Sequence, residues 1–140
     1  MVRISNLKIL NILEKNSRTP YIKIAEKLGV TETAVRKRVR KMENMGVIRG
    51  YNVDIDPRKL GYEVDALIGL DAKPEHYTDV VEKLKEMKGV RGLYSSSGDH
   101  MFMIECWFRN SKELRAFAKK LKSIKGVTRI CPAIMLEKIK

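Results

Sequence analysis

One seven-residue string occurs twice in this chain, and it limits the fold more than any other feature. Leu84-Lys85-Glu86-Met87-Lys88-Gly89-Val90 returns thirty-seven residues later as Leu121-Lys122-Ser123-Ile124-Lys125-Gly126-Val127. In each copy a helical pattern runs out at a glycine and a β-branched residue follows, so each copy ends a helix and begins a strand. Upstream of the glycines, Tyr77, Val80, Val81 and Leu84 share their offsets with Leu114, Phe117, Ala118 and Leu121. That i, i+3, i+4, i+7 spacing makes one apolar stripe per helix. Asn110 and Glu113 are spaced for a capping box at the second helix start. Strand-like runs precede the helices at residues 64–72 and 101–108, and others follow at 90–96 and 127–139. The order is βαββαβ. With right-handed crossovers it gives an antiparallel sheet with both helices on one face, the ferredoxin-like arrangement.

About eighty residues cannot cover both faces of such a sheet, so the open face is expected to pack against a second copy, giving at least a dimer. In the usual strand order of this fold the first strand lies between the third and fourth. Cys106 and Cys131 are then too far apart to bridge within one subunit.

The first sixty residues read differently. They hold fourteen basic and six acidic side chains, a balance of +8, against fifteen and eleven in the remaining eighty. The break falls at Asp56-Pro57-Arg58-Lys59-Leu60-Gly61, where Pro and Gly interrupt the pattern. The expected division is a helix-turn-helix domain over residues 1–50, a linker strand and hinge over 51–62, and a ferredoxin-like regulatory and oligomerisation domain over 63–140. Residues 4–16 form a first helix whose apolar positions cover more than one face, which suggests a partner surface. Thr19 as N-cap and Pro20 at the first helical position open a second helix that Gly29 closes at residue 28. Thr31 caps a third helix that runs to residue 45 before Gly46 stops it. Residues 47–55 alternate as a half-buried strand, with Tyr51, Val53 and Ile55 on one side.

The third helix carries the sharpest functional signal. At 100° per residue, Val35, Val39 and Met42 share one narrow face, while Thr33, Lys37, Arg40 and Asn44 lie opposite, flanked by Arg36 and Lys41. Five of the six residues from 36 to 41 are basic, and the exception, Val39, falls where the core stripe requires an apolar side chain. A helix of this diameter fits the DNA major groove, and two capped helices joined by a three-residue turn form a helix-turn-helix. The candidate readers are Thr31, Thr33, Arg36, Lys37 and Arg40. Arg offers guanine two bonds, Thr meets either polar edge or the thymine methyl, and Lys serves as a phosphate charge. Arg38 lies nearer the buried side, where it reaches a phosphate or pairs internally. The chain's formal +12, from 29 basic and 17 acidic residues, fits an anionic partner.

At this point the residues resemble a family. Ile24-Ala25-Glu26-Lys27-Leu28-Gly29-Val30-Thr31, Val35-Arg36-Lys37-Arg38-Val39-Arg40-Lys41-Met42-Glu43 and Gly46-Val47-Ile48-Arg49-Gly50-Tyr51 are similar to the N-terminal half of Lrp/AsnC (feast/famine) transcription regulators of archaeal type. Residues 63–139 resemble that family's regulatory domain. The resemblance implies an α+β chain with a winged helix-turn-helix, a homodimer that commonly assembles to an octamer, double-stranded DNA as partner, and Thr31 to Lys41 at the groove. It also implies a small-molecule effector, often an amino acid, near a Gly-Asp-Tyr-Asp-like turn. Gly98 and Asp99 match that turn, and His100 and Met101 depart from it. Pro132 and Ala133 stand in a region of the last strand that often has Thr. These departures remove polar groups that could hold an amino or carboxylate group.

Other chemistry is weakly supported. Ser97, Asp99 and His100 are too close in sequence to converge as a triad. His76 and His100, the only histidines, are not spaced as metal ligands, and no glycine-rich phosphate loop is present, so neither an enzyme nor a cofactor is expected. No apolar run approaches a membrane span and the start lacks a secretory layout, so the chain reads as cytoplasmic. Two alternatives remain open at this level: an architectural DNA-binding protein with weak sequence preference, and a metabolite sensor or small enzyme built on the rear domain, with the front helices serving only assembly.

Overall fold

A computed structural model describes residues 5–140, which divide into two compact units between Asp54 and Ile55. The first holds α1 (Asn6–Lys15), α2 (Tyr21–Leu28) and α3 (Glu32–Asn44). Ile9, Leu13, Ile24, Ala25, Val35, Val39 and Met42 form its core. The expected start of α1 at Ile4 lies outside the described residues. Ser5 caps α1 by accepting from the Lys8 N–H at 3.4 Å.

One cap differs from expectation. Pro20, not Thr19, is the N-cap of α2, without a side-chain hydrogen bond. The Thr19 hydroxyl instead donates to the Asn16 carbonyl at 2.6 Å, and the Asn16 side chain accepts from the Arg18 N–H at 3.0 Å. Asn16 thus organises the turn, and the Thr19 hydroxyl serves that turn and not the start of α2. At the other end Gly29 takes φ 66°, a left-handed conformation that a Cβ would strain. Two residues later Thr31 caps α3.

The strand expected over residues 47–55 is absent. A strand exists only where a second strand completes its hydrogen bonds, and no described strand pairs with this segment. Its alternating Tyr51, Val53 and Ile55 are all exposed. After it, Asp56 accepts from the Arg58 N–H and starts a short 3-10 turn, Pro57–Leu60.

The second unit runs β1 (Val64–Ala72), α4 (Tyr77–Glu86), β2 (Gly92–Ser95), β3 (Phe102–Phe108), α5 (Ser111–Ser123) and β4 (Val127–Ile134). Its antiparallel sheet has the order β2-β3-β1-β4. Val64, Ala66, Ile68, Leu70 and Ala72 alternate onto the helix side with Phe102, Ile104, Cys106 and Phe108, where they meet Val80, Leu84, Leu114, Phe117 and Leu121. Both copies of the repeat close alike. Met87 and Ile124 are the C-caps, and Gly89 and Gly126 follow at φ 98° and 94°, in turns bonded Val90 N–H to Met87 O and Val127 N–H to Ile124 O. Asn110 accepts from the Glu113 N–H at 3.0 Å, while the Glu113 carboxylate reaches back to the Arg109 N–H at 2.8 Å.

β4 ends at Ile134, short of the expected residue 139. Only the Met135 N–H, donating to the Asp65 carbonyl at 2.8 Å, carries the pairing further. Pro132 is tolerated because β4 is an edge strand. Cys106 faces Ala66 and Cys131 faces Gly69 across β1 from opposite sides, and both thiols are free. Burial, helped by Glu105, pushes the Cys106 thiol up to about 12.

Leu84 and Leu121 are fully buried at matching positions of the repeat. Replacing either with Ala is expected to lower stability by about 2–5 kcal/mol through lost contacts and a residual cavity. Urea unfolding at fixed protein concentration measures this, and a loss below about 1 kcal/mol at both sites would contradict the packing described.

Candidate nucleic-acid interface

The position of α3 is set by its buried stripe. Val35 and Val39 are fully buried and Met42 nearly so, which fixes the rotation of the helix and turns its opposite side outward. Thr33, Lys37, Arg40 and Asn44 are exposed on that side, with Arg36 and Lys41 exposed beside them. Arg38 is half-buried, as its angular position suggested. Thr31 is exposed at the helix start, where its hydroxyl oxygen accepts from the Ala34 N–H at 3.1 Å. The cap therefore occupies part of the hydrogen-bonding capacity that Thr31 could offer a base.

Arg36 is not free. Its guanidinium meets Glu32 one turn earlier at 2.5 Å and lies 5.8 Å from the centre of the Tyr21 ring. The i, i+4 spacing of Glu32 and Arg36 was visible in the sequence and is what finds this pair. Among the described residues, Arg36 alone in the run from 36 to 41 has an ion-pair partner. Lys37, Arg40 and Lys41 thus present charge that none of the described residues neutralises. At the far end of α3, the Tyr51 hydroxyl donates to Glu43 at 3.4 Å. Burial first, then the Glu43 carboxylate, raises the Tyr51 pKa, so the phenol stays protonated and holds the chain leaving α3 against that helix.

Gly98, Asp99 and His100 lie in the second unit, on the turn between β2 and β3. Two residues not singled out in the sequence tie this turn down. Asp71 and Arg129 are cross-strand partners in β1 and β4, at a point where the register slips by one residue. The Arg129 Nε donates to Asp71 at 2.8 Å, and an Arg129 Nη donates to the Asp99 carbonyl at 3.0 Å. Asp71 also accepts from the Met101 N–H at 2.9 Å and lies 3.0 Å from His100 Nδ1. The His100 ring packs directly over Gly69, which leaves no room for a side chain there. A charged residue within the apolar run of β1 was the available signal, but its partner is 58 residues away.

The Met101 N–H is the largest influence on Asp71. Burial opposes it, and the bonds from Arg129 and His100 help hold the carboxyl at about 2 instead of its ordinary 3.8. A depressed carboxylate stabilises the fold above its ordinary pKa, and that contribution disappears as the pH falls through the folded-state value. The second unit should therefore lose stability from this group between about pH 4 and about pH 2. In Asp71→Asn, the decline of the melting temperature across that window should be shallower than in the parent. Calorimetry at matched ionic strength reads this, and an unchanged slope would contradict the role given to Asp71.

No helix among the described residues is long and apolar enough to cross a membrane. Residues 3–49 match the family model described as winged helix-turn-helix DNA-binding, and residues 65–140 match the Lrp/AsnC ligand binding domain. The chain is 52% identical over 133 residues to the HTH-type transcriptional regulator LrpA of Pyrococcus horikoshii, covering 94% of each chain. It superposes on the structure of Escherichia coli AsnC with a TM-score of 0.81 at 29% identity, covering 99% of this chain and 96% of that one. A Neisseria meningitidis transcriptional regulator solved in complex with L-Met has the same fold, with a TM-score of 0.87 at 19% identity and coverage of 100% and 93%. The α+β architecture of an N-terminal winged helix-turn-helix and a four-stranded antiparallel sheet with helices is the one these proteins share. The relatives are named transcriptional regulators, and this chain belongs to the Lrp/AsnC family of DNA-binding transcription regulators, in its archaeal form.

Proposed function

We propose that this regulator reads a specific DNA sequence through α3, as a homodimer that assembles further to an octamer. The exposed, unneutralised side of α3 carries this reading. Arg40 and Arg36 are assigned to base edges, Thr33 and Thr31 to the first bases at the helix N-terminus, and Lys37 and Lys41 to phosphates, with Arg38 alongside the backbone. Residues 1–50 form the DNA-binding part and 51–62 the linker and hinge. A second copy would give the linker's exposed Tyr51, Val53 and Ile55 a pairing partner. Residues 63–140 regulate and oligomerise. Their sheet supports pairing because its open face carries Leu67, Met103, Tyr94 and Cys131, a patch that one chain alone leaves uncovered.

A small effector at the turn formed by Gly98, Asp99 and His100 fits the same reading. Asp99 keeps a largely exposed carboxylate and Arg129 a half-exposed guanidinium beside it, the two charges that an amino-acid zwitterion requires. The L-Met complex of the Neisseria regulator supports that chemistry. The cytoplasm, where DNA is, is the expected compartment.

Selection of bound fragments from a random duplex pool at about 150 mM salt tests the central reading, because that salt suppresses purely electrostatic retention. Convergence on a partial palindrome with half-sites about 34 Å, or a multiple of that, apart is expected. Retention without convergence would instead make the protein an architectural DNA binder. On the selected site, Arg40→Ala should cost about 1–3 kcal/mol and relax preference at one position per half-site. Glu32→Gln should tighten binding, since it releases Arg36 and removes a negative charge facing the DNA, at a stability loss below about 1 kcal/mol. Weaker binding by Glu32→Gln, measured by anisotropy, would show that the pair positions Arg36 and does not restrain it.

A further inference from the structure

The internal repeat builds a groove. Between α4 and α5, on the helix side of the second unit, lies an open cleft of about 820 Å³. Its lining includes Lys83 with Lys120, Met87 with Ile124, and Lys88 with Lys125, three pairs separated by the repeat's own thirty-seven residues. Met87 and Ile124 are half-buried, packed on the core from above, and form an apolar floor. Four exposed lysines stand around it, with Asp79 as the one carboxylate in the lining. Among the described residues none of these four lysines has an ion-pair partner, whereas nearby Lys85 is paired with Glu82 at 3.2 Å.

The charge is concentrated on this layer. Residues 77–89 and 111–126 hold nine basic and four acidic side chains, while the rest of residues 55–140 hold eight of each. The helix layer thus accounts for the whole basic excess of the unit. Lys83 and Lys120 sit in last helical turns, where a cation offsets the carbonyl ends. Lys88 and Lys125 lie beyond the helix ends and have no such role. The layer is also the side of the sheet opposite the open face assigned to pairing, so pairing there leaves the groove accessible.

We infer that this groove receives an acidic amphipathic segment of a partner protein, its apolar residues on Met87 and Ile124 and its carboxylates on the four lysines. The combination of floor and rim favours such a segment over a duplex, because phosphates need the charges and gain nothing from an apolar floor. It favours a segment over a small anion because the cleft is open along its length and its charges stand apart on flexible stems.

The probe is a fluorescein-labelled peptide of about fourteen residues, Glu throughout except for Leu at helical i, i+3, i+4, i+7 spacing, followed by anisotropy on the full-length protein. Saturable binding is expected, weaker by about tenfold or more for a peptide with Ser in place of Leu and for the protein variant Lys88→Glu/Lys125→Glu. Lys112→Glu/Lys122→Glu makes the same change in net charge on the same layer outside the groove and should leave the affinity within about twofold. Circular dichroism confirms that both variants are folded, and neither should change affinity for the selected duplex. Equal binding of the Leu and Ser peptides, equal losses in the two variants, or no binding at all would overturn the inference. A fall in duplex affinity confined to Lys88→Glu/Lys125→Glu would do so too, by assigning the lysines to DNA.

Discussion

Neither unit is large enough to bury both sides of its elements, and that constraint decides where function can sit. A small domain covers one stripe per helix and one face per sheet, and the uncovered side must be polar, paired with another molecule, or both. In the first unit, Val35, Val39 and Met42 take the inner side of α3 and leave the outer side to Thr33, Lys37 and Arg40. In the second, the even-numbered residues of β1 and β3 face the helices, and the odd-numbered ones, among them Leu67, Met103 and Trp107, form the other face. The same burial that stabilises each unit therefore aims its binding groups. Under the proposed reading, a substitution in the inner stripe of α3 would disturb recognition without touching DNA, by letting the helix rotate.

Features governed by local periodicity and capping were legible from the residues. The alternation of β1 appears at its expected bounds, and the repeat closes twice on a left-handed glycine, as Gly89 and Gly126 suggested. Asn110 caps α5, and the angular separation of Val35 from Lys37 and Arg40 on α3 survives intact in the folded unit. Long-range and partner-dependent features were not legible. The pattern over residues 47–55 states which side a strand would bury and is silent on whether a second strand exists to pair with it. β4 ends where its pairing with β1 stops, at Ala66 and Ile134, although β1 itself runs on to Val64 and apolar residues continue to Ile139. Thr19 was assigned as a cap from its type, but Asn16, three residues earlier, competes for its hydroxyl. The linkage of Asp71, His100 and Arg129 depends on strand register over 58 residues, which no local pattern encodes.

That cluster bears on how the two ends of the turn at Gly98 and Asp99 can respond to a ligand. Its polar groups are already engaged: Asp71 accepts three bonds, and Arg129 bridges Asp71 and the turn. Under the proposed reading, a ligand here would exchange existing bonds for new ones, and its effect on the fold would be carried by Arg129 and the exposed Asp99 carboxylate. The same logic holds on α3. Under the proposed reading, Arg36 would have to leave Glu32 to reach a base, whereas Arg40 has no ion-pair partner among the described residues. Discrimination at the two positions is therefore expected to differ even though the residue type is the same.

The central claim is that the outer side of α3 enters the major groove and reads bases there. Methylation protection at guanine N7 tests it most directly, because N7 is exposed only in the major groove. The account predicts two clusters of protected guanines about one helical turn apart, or a multiple of it, with protection at one position in each cluster lost in Arg40→Ala. Uniform protection of the sugar-phosphate backbone with every N7 still reactive would contradict it.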